Sequence, residues 1–151
     1  MQIELLDEQC RPYVGSACAA GLDLRATWEG VNAFQILEPG SKTLVNTGIR
    51  CAIPEGWVGL VVPRSGLGSK FEITLANTIG IIDSDYRGEI LVYVTNKGKE
   101  AFTLEKYMRF CQMVIVPHWD PNLVTILDKN GVLPEAISSR GENGFNSSGV
   151  N

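Results

Sequence analysis

Gly80-Ile81-Ile82-Asp83-Ser84-Asp85-Tyr86-Arg87-Gly88-Glu89-Ile90 places apolar, strand-like residues on either side of a turn that crowds two carboxylates, an aromatic ring and an arginine. Asp and Ser favour turns through local side-chain to backbone bonds, and Gly88 supplies freedom at positive φ. Ile-Leu-Val-Tyr-Val at 90–94 has the character of an outgoing strand. The stretch is expected to form a β-hairpin whose tip holds a ligand. Taken alone, Asp-Ser-Asp reads first as an ordinary surface turn, so the flanking segments must supply the context.

Immediately before it, residues 73–78 lead into the hairpin, and Pro63-Arg64-Ser65-Gly66-Leu67-Gly68-Ser69-Lys70 follows a mostly apolar strand at 57–62. Two glycines, two hydroxyls and two cations in this loop are suited to cradling an anion, because glycine lets backbone N–H groups approach closely. A plain flexible loop is the other reading. Neither G-x-x-x-x-G-K-[ST] nor G-x-G-x-x-G is satisfied, which excludes the named phosphate loops.

Further out, Leu22, Leu24 and Ala26 alternate with Asp23 and Arg25, the period of a half-buried strand. Other strands are expected at 4–6, 43–53 with a break at Gly48, 101–104, 109–117 and 123–127, while residues 34–37 precede a strong turn signal at 38–41 and Pro12 and Gly15 mark residues 10–15 as loop. No long segment carries a helical period. Many short strands separated by turn signals predict one all-β domain: a sandwich, barrel or jelly roll. The serine- and glycine-rich residues 138–151 cannot bury enough apolar surface to order alone, so the expected division is a β domain at 1–137 and a mobile tail at 138–151.

A net charge of −4 argues against general nucleic-acid or anionic-membrane binding, so an anionic ligand must be met locally. Arg25, Arg64, Arg87, Arg109 and Arg140 sit in Gly- or Asp-containing segments and predict a dispersed anion clamp. Cys10, Cys18, Cys51 and Cys111 lack C-x-x-C spacing and His118 is the only histidine, which makes a structural zinc site or a histidine-based hydrolytic triad a poor fit. The start of the chain shows no secretory pattern, and the longest apolar runs fall far short of a membrane span; reduced thiols and a cytoplasmic setting are expected.

Five segments in order resemble the trimeric dUTP pyrophosphatase (dUTPase) family over essentially the whole chain. They are Ala20-Gly21-Leu22-Asp23-Leu24, Pro63-Arg64-Ser65-Gly66-Leu67-Gly68, Gly80 to Gly88, Arg109-Phe110-Cys111-Gln112-Met113, and Arg140-Gly141-Glu142-Asn143-Gly144-Phe145. The resemblance implies a jelly-roll-like subunit, a homotrimer with sites at subunit contacts, and Mg²⁺-dependent hydrolysis of dUTP to dUMP and pyrophosphate. It assigns Asp83 to the attacking water, Ser65 and the Gly66 N–H to the departing pyrophosphate, and Arg64, Arg109 and Arg140 to the phosphates, with Gln112 as a further contact. Asp23 becomes an outer-shell partner of the metal through water. Asn77 and the hairpin backbone around Ile82 would read uracil, Tyr86 would pack on deoxyribose, and Gly141, Phe145, Ser147 and Ser148 would close over the nucleotide. Asn146 and Ser148 depart from the residues common in the family tail. A dCTP deaminase of the same fold and a non-catalytic jelly-roll module remain as alternatives, separable by release of ammonia from dCTP or of pyrophosphate from dUTP.

Overall fold

The computed structural model describes residues 1–134, so the expected boundary at 137/138 and the tail residues Arg140, Gly141, Phe145, Ser147 and Ser148 lie outside the described residues. Two compact units divide the chain, Met1–Trp119 and Asp120–Asn151. In the second, Pro121–Leu123 forms one 3-10 turn, opened by Asp120, whose carboxylate accepts from the Asn122 N–H at 2.9 Å. The strand expected at 123–127 is absent among the described residues. Asp120 and Pro121 together favour a capped turn over an extended entry.

The first unit is built from short strands: β1 (Gln2–Leu5), β2 (Tyr13–Val14), β3 (Gly21–Arg25), β4 (Phe34–Leu37), β5 (Lys42–Asn46), β6 (Ile49–Ala52) and β7 (Trp57–Pro63). After helix α1 (Ser65–Phe71) come β8 (Ile73–Leu75), β9 (Gly80–Ile82), β10 (Leu91–Asn96), β11 (Phe102–Glu105) and β12 (Arg109–Pro117). All strand pairs are antiparallel. One sheet runs β2-β3-β12-β7-β9, a second β5-β10-β8, and β1-β6 and β4-β11 form two-stranded ribbons. Their inward faces share one core: Leu24, Val61 and Met113 from the large sheet meet Val45 and Val94 from the second, with Leu37 and Leu104 from one ribbon and Ile49 from the other. This is the jelly-roll-like all-β class expected from the alternating pattern.

The stretch 80–90 is not a paired hairpin. β9 joins β7 in the large sheet while β10 lies between β5 and β8 in another, so the turn at 83–88 carries the chain from sheet to sheet. The outgoing limb is drawn away by contacts that local sequence does not encode. The Glu89 carboxylate accepts from the Asn46 side-chain amide at 2.9 Å and from the Gly48 N–H at 2.8 Å, and the Ile90 N–H donates to the Ile49 carbonyl at 3.0 Å.

The segment after β7 is not a loop but α1. It begins at Ser65 after extended Arg64, buries Leu67, and ends where Glu72 turns left-handed at φ 55° with its N–H on the Gly68 carbonyl. Seven residues with two glycines have little intrinsic helicity. Leu67 docked in the core supplies what propensity does not. Finally, Tyr13 and Val14, expected in a loop, form an edge strand with Tyr13 opposite Asp23.

Candidate active site

β12 lies between β3 and β7 and is the axis of the site. Its register against β3 shifts between Arg109 and Cys111, so that Phe110 and Cys111 are both buried. This bulge has a direct consequence. In a regular strand residues three apart face opposite sides, but here Arg109 and Gln112 both remain half-exposed while Met113 returns to the core. Gln112 pairs with Asp23 on β3 and with Val62 on β7, and its side-chain amide donates to the Pro63 carbonyl at 3.1 Å. Gly21 makes room for it: a Cβ there would lie 2.7 Å from the Gln112 Oε1.

Arg64 follows the last residue of β7 and reaches back across β12. Its Nε lies 3.1 Å from Asp23 Oδ2, and its Nη1 donates to the Arg109 carbonyl at 2.8 Å. From the other side, Arg109 Nη1 donates to the same Asp23 oxygen at 3.2 Å. Two guanidinium groups thus share one carboxylate oxygen. A half-buried carboxylate neutralises only one of the two charges, so the cluster retains an excess positive charge suited to phosphate. Ser65, exposed at the first turn of α1, adjoins it, and a Cβ on Gly66 would meet nothing within 4 Å. The backbone there is open to a ligand.

Asp23, Arg64, Arg109 and Gln112 are therefore brought together, with Ser65 and Gly66 beside Arg64 at the start of α1. Arg25 and Arg87 do not join the expected clamp. Arg25 donates to the Arg11 and Tyr107 carbonyls, and Arg87 to the Ser84 and Tyr86 carbonyls, so both brace backbone turns. Beneath the cluster, burial first and the Asp23 charge second push the Cys111 thiol well above its ordinary range, which removes it as a nucleophile.

The second group of expected residues lies elsewhere. Ile81, Ile82, Asp83, Tyr86 and Leu91 line a pocket of about 130 Å³, roughly four water volumes. The Tyr86 ring is folded back by its hydroxyl, which donates to the Glu89 carbonyl at 2.9 Å, and a Cβ on Gly88 would lie 2.6 Å from the Tyr86 Cζ. Asn77 does not line this pocket. It sits at the tight turn before β9, where Thr78 takes the left-handed region at φ 66°, a rare state for a β-branched residue.

Within one chain the two groups are far apart. Ile82 pairs with Gly59, near the start of β7, so Asp83 stands level with Val58, while Arg64 follows the opposite end of that strand. At the rise of a strand the separation is about 20 Å. Sequence order had concealed this division, and it had also hidden Tyr13, whose ring lies under the Arg109 guanidinium at 4.3 Å.

Comparison with known proteins places this geometry in context. Residues 9–149 match the family model described as dUTPase. The deoxyuridine 5'-triphosphate nucleotidohydrolase of Escherichia phage T5 is 45% identical over 152 residues, covering 99% of this chain and 98% of its own, and that of Azoarcus sp. (strain BH72) is 42% identical over 153 residues, covering 99% and 97%. Among solved structures, the Staphylococcus bacteriophage 80alpha dUTPase with dUPNHPP aligns at a TM-score of 0.81 and 30% identity, covering 99% of this chain and 98% of that one. A mutant dUTPase from phage phi11 of S. aureus, described for its coordination of a structural Mg(II) ion, aligns at 0.71 and 26% identity, covering 86% of this chain and 98% of that one.

Proposed function

Since the chain belongs to the dUTPase family, we propose that it hydrolyses dUTP to dUMP and pyrophosphate as a homotrimer whose sites each join the arginine cluster of one chain to the Asp83 pocket of another. The observation that carries this reading is the separation of about 20 Å between two incomplete half-sites on one subunit. One half has cations but no nucleoside pocket, and its carboxylate, Asp23, is taken up by the two arginines; the other has the exposed Asp83 carboxylate and a pocket whose lining carries no cation, while Arg87 beside it donates to backbone carbonyls. A cyclic assembly brings unlike surfaces of neighbouring subunits together and completes each half with the other.

In the joined site Asp83 orients a water for attack on the α-phosphorus and takes up its proton as the bond to the leaving pyrophosphate breaks. Arg64 and Arg109, positioned by Asp23 before substrate arrives, exchange its carboxylate for phosphate oxygens with little movement of the guanidinium groups, which is where preorganised charge is worth most. Ser65 and the Gly66 N–H stabilise the departing group, and Gln112, fixed on the Pro63 carbonyl, adds a neutral donor. The nucleoside enters the Asp83 pocket, with Ile82 and its backbone along the base and Tyr86 against the sugar, and the base edge reaches past the pocket lining toward Asn77. The nucleotide chemistry gives the protein its place: keeping dUTP low and supplying dUMP, in a cytoplasmic setting. Among the described residues no helix is long and apolar enough to cross a membrane.

The residues present fit Mg²⁺ held mainly by the triphosphate. Among the described residues no three of His, Cys, Asp and Glu gather to cage a metal ion, and both arginine contacts fall on Asp23 Oδ2, leaving Oδ1 to accept from a metal-bound water. When bound, the ion would supply charge neutralisation along the triphosphate.

The direct test is pyrophosphate release from dUTP compared with UTP, dTTP and dCTP. Preferred turnover of dUTP supports the reading; ammonia release from dCTP without pyrophosphate would replace it by deamination. The sugar filter has its own test. Because any side chain at position 88 displaces the Tyr86 ring, Gly88→Ala is expected to narrow the preference for dUTP over UTP by about 5- to 150-fold, the equivalent of roughly 1–3 kcal/mol for a desolvated 2′-hydroxyl. An unchanged ratio of specificity constants would remove Tyr86 from that role.

A further inference from the structure

Resting on the dUTPase reading of the arginine cluster, we propose that Tyr13 is a positioning residue for phosphate binding, acting through the guanidinium of Arg109. The ring centroid lies 4.3 Å from the Arg109 Cζ, with the cation over the ring and well within the roughly 6 Å reach of a cation–π contact. Tyr13 reaches that place because β2 pairs with β3 so that Tyr13 stands opposite Asp23, and Asp23 in turn stands opposite Gln112 on β12. The bulge at Phe110 then turns Arg109 to the same face. Its guanidinium is held on two independent sides, by the Tyr13 π-face and by Asp23 Oδ2 at 3.2 Å.

This division matters when substrate binds. Phosphate oxygens compete with Asp23 for the N–H edges of Arg109, since a guanidinium donates in its own plane. The Tyr13 ring offers the guanidinium its π-face and no lone-pair acceptor, so it does not compete for the hydrogen bonds that carboxylate and phosphate contest. Tyr13 therefore keeps Arg109 in position while its hydrogen bonds pass from carboxylate to phosphate, a task no hydrogen-bonding side chain performs without competing for the same protons. Tyr13 is also on a two-residue edge strand and 43% exposed, so its ring is not a core element that the fold needs.

The test compares the wild-type trimer with Tyr13→Leu, Tyr13→Phe, Arg109→Ala and the double variant Tyr13→Leu/Arg109→Ala. Steady-state kinetics on dUTP and calorimetric titration with inorganic pyrophosphate are the readouts, with thermal midpoints to verify folding. Tyr13→Leu is expected to lower kcat/KM by about 3- to 10-fold, mostly through KM, and to weaken pyrophosphate binding by the same factor. Tyr13→Phe keeps the aromatic face and should recover most of the loss. With Arg109 already removed, Tyr13→Leu should cost nothing more. Equal losses with and without Arg109, a Phe variant as weak as Leu, or a Leu variant matching wild type would each overturn the assignment. An inactive wild type that still bound pyrophosphate in a Tyr13-dependent way would overturn the hydrolase reading and leave the role of Tyr13 standing.

Discussion

Asp83→Asn is expected to reduce kcat on dUTP by about 10²- to 10⁴-fold while leaving the affinity for a non-hydrolysable dUTP analogue within a few-fold of wild type. The substitution preserves shape and removes only the proton acceptor. Asp83 is exposed, and the structural bond at that position comes from its backbone carbonyl, which accepts from the Tyr86 N–H at 3.2 Å. Asn also suits turns, so the 83–86 turn and the Tyr86 pocket should persist. A loss in kcat without a loss in binding is what removal of a water-activating base produces. Near-normal turnover would show that the carboxylate merely forms the turn.

Arg109→Ala is expected to lower kcat/KM by about 10²- to 10³-fold, the size of effect seen when a preorganised donor to developing charge is deleted. Its consequences should be local. Arg64 would keep its contact with Asp23 at 3.1 Å and its bond to the carbonyl of residue 109 at 2.8 Å, since that acceptor is backbone. Asp23 therefore retains one partner, and the fold should hold. Arg109→Lys should recover little, because an ammonium restores the charge without the forked donors or the flat surface that meets Tyr13. Steady-state kinetics with a thermal midpoint for each variant checks both statements. Recovery by Lys to near wild type would mean that charge alone matters at this position.

Much of the fold was legible because inward-facing positions alternate. Leu22 and Leu24 against Asp23 and Arg25 gave β3, and the strand at 109–117 matches β12. Pairing was harder to read. An apolar run, a turn and a second apolar run look the same whether the limbs pair or part, and at 80–90 they part because Glu89 is captured by Asn46 and Gly48 from a distant turn. Helix α1 escaped notice because its glycines lower propensity and a single buried leucine offsets that. The same limits apply to the site. Arg64 and Arg109 read as parts of an anion clamp from residue type, while Asp23 and Gln112 entered only through the family resemblance, and the convergence of the four depends on the Phe110 bulge, for which the only local sign is the adjacent pair Phe110 and Cys111. Arg25 braces the Tyr107 carbonyl, a contact that only tertiary geometry sets, whereas Arg87 turns onto the Ser84 and Tyr86 carbonyls of its own turn.

The central claim is that one site is assembled from the arginine cluster of one chain and the Asp83 pocket of another. Chains carrying Asp83→Asn and chains carrying Arg109→Ala, each nearly inactive alone, can be mixed in equal amounts, dissociated and reassembled, and assayed for pyrophosphate release. A site is whole when its clamp comes from an Asp83→Asn chain and its aspartate from an Arg109→Ala chain, which random assortment in a cyclic trimer provides in about a quarter of the sites. The account predicts recovery to about that fraction of wild-type activity. Activity that stayed at the average of the two parent variants, in trimers shown to contain both chains, would contradict it.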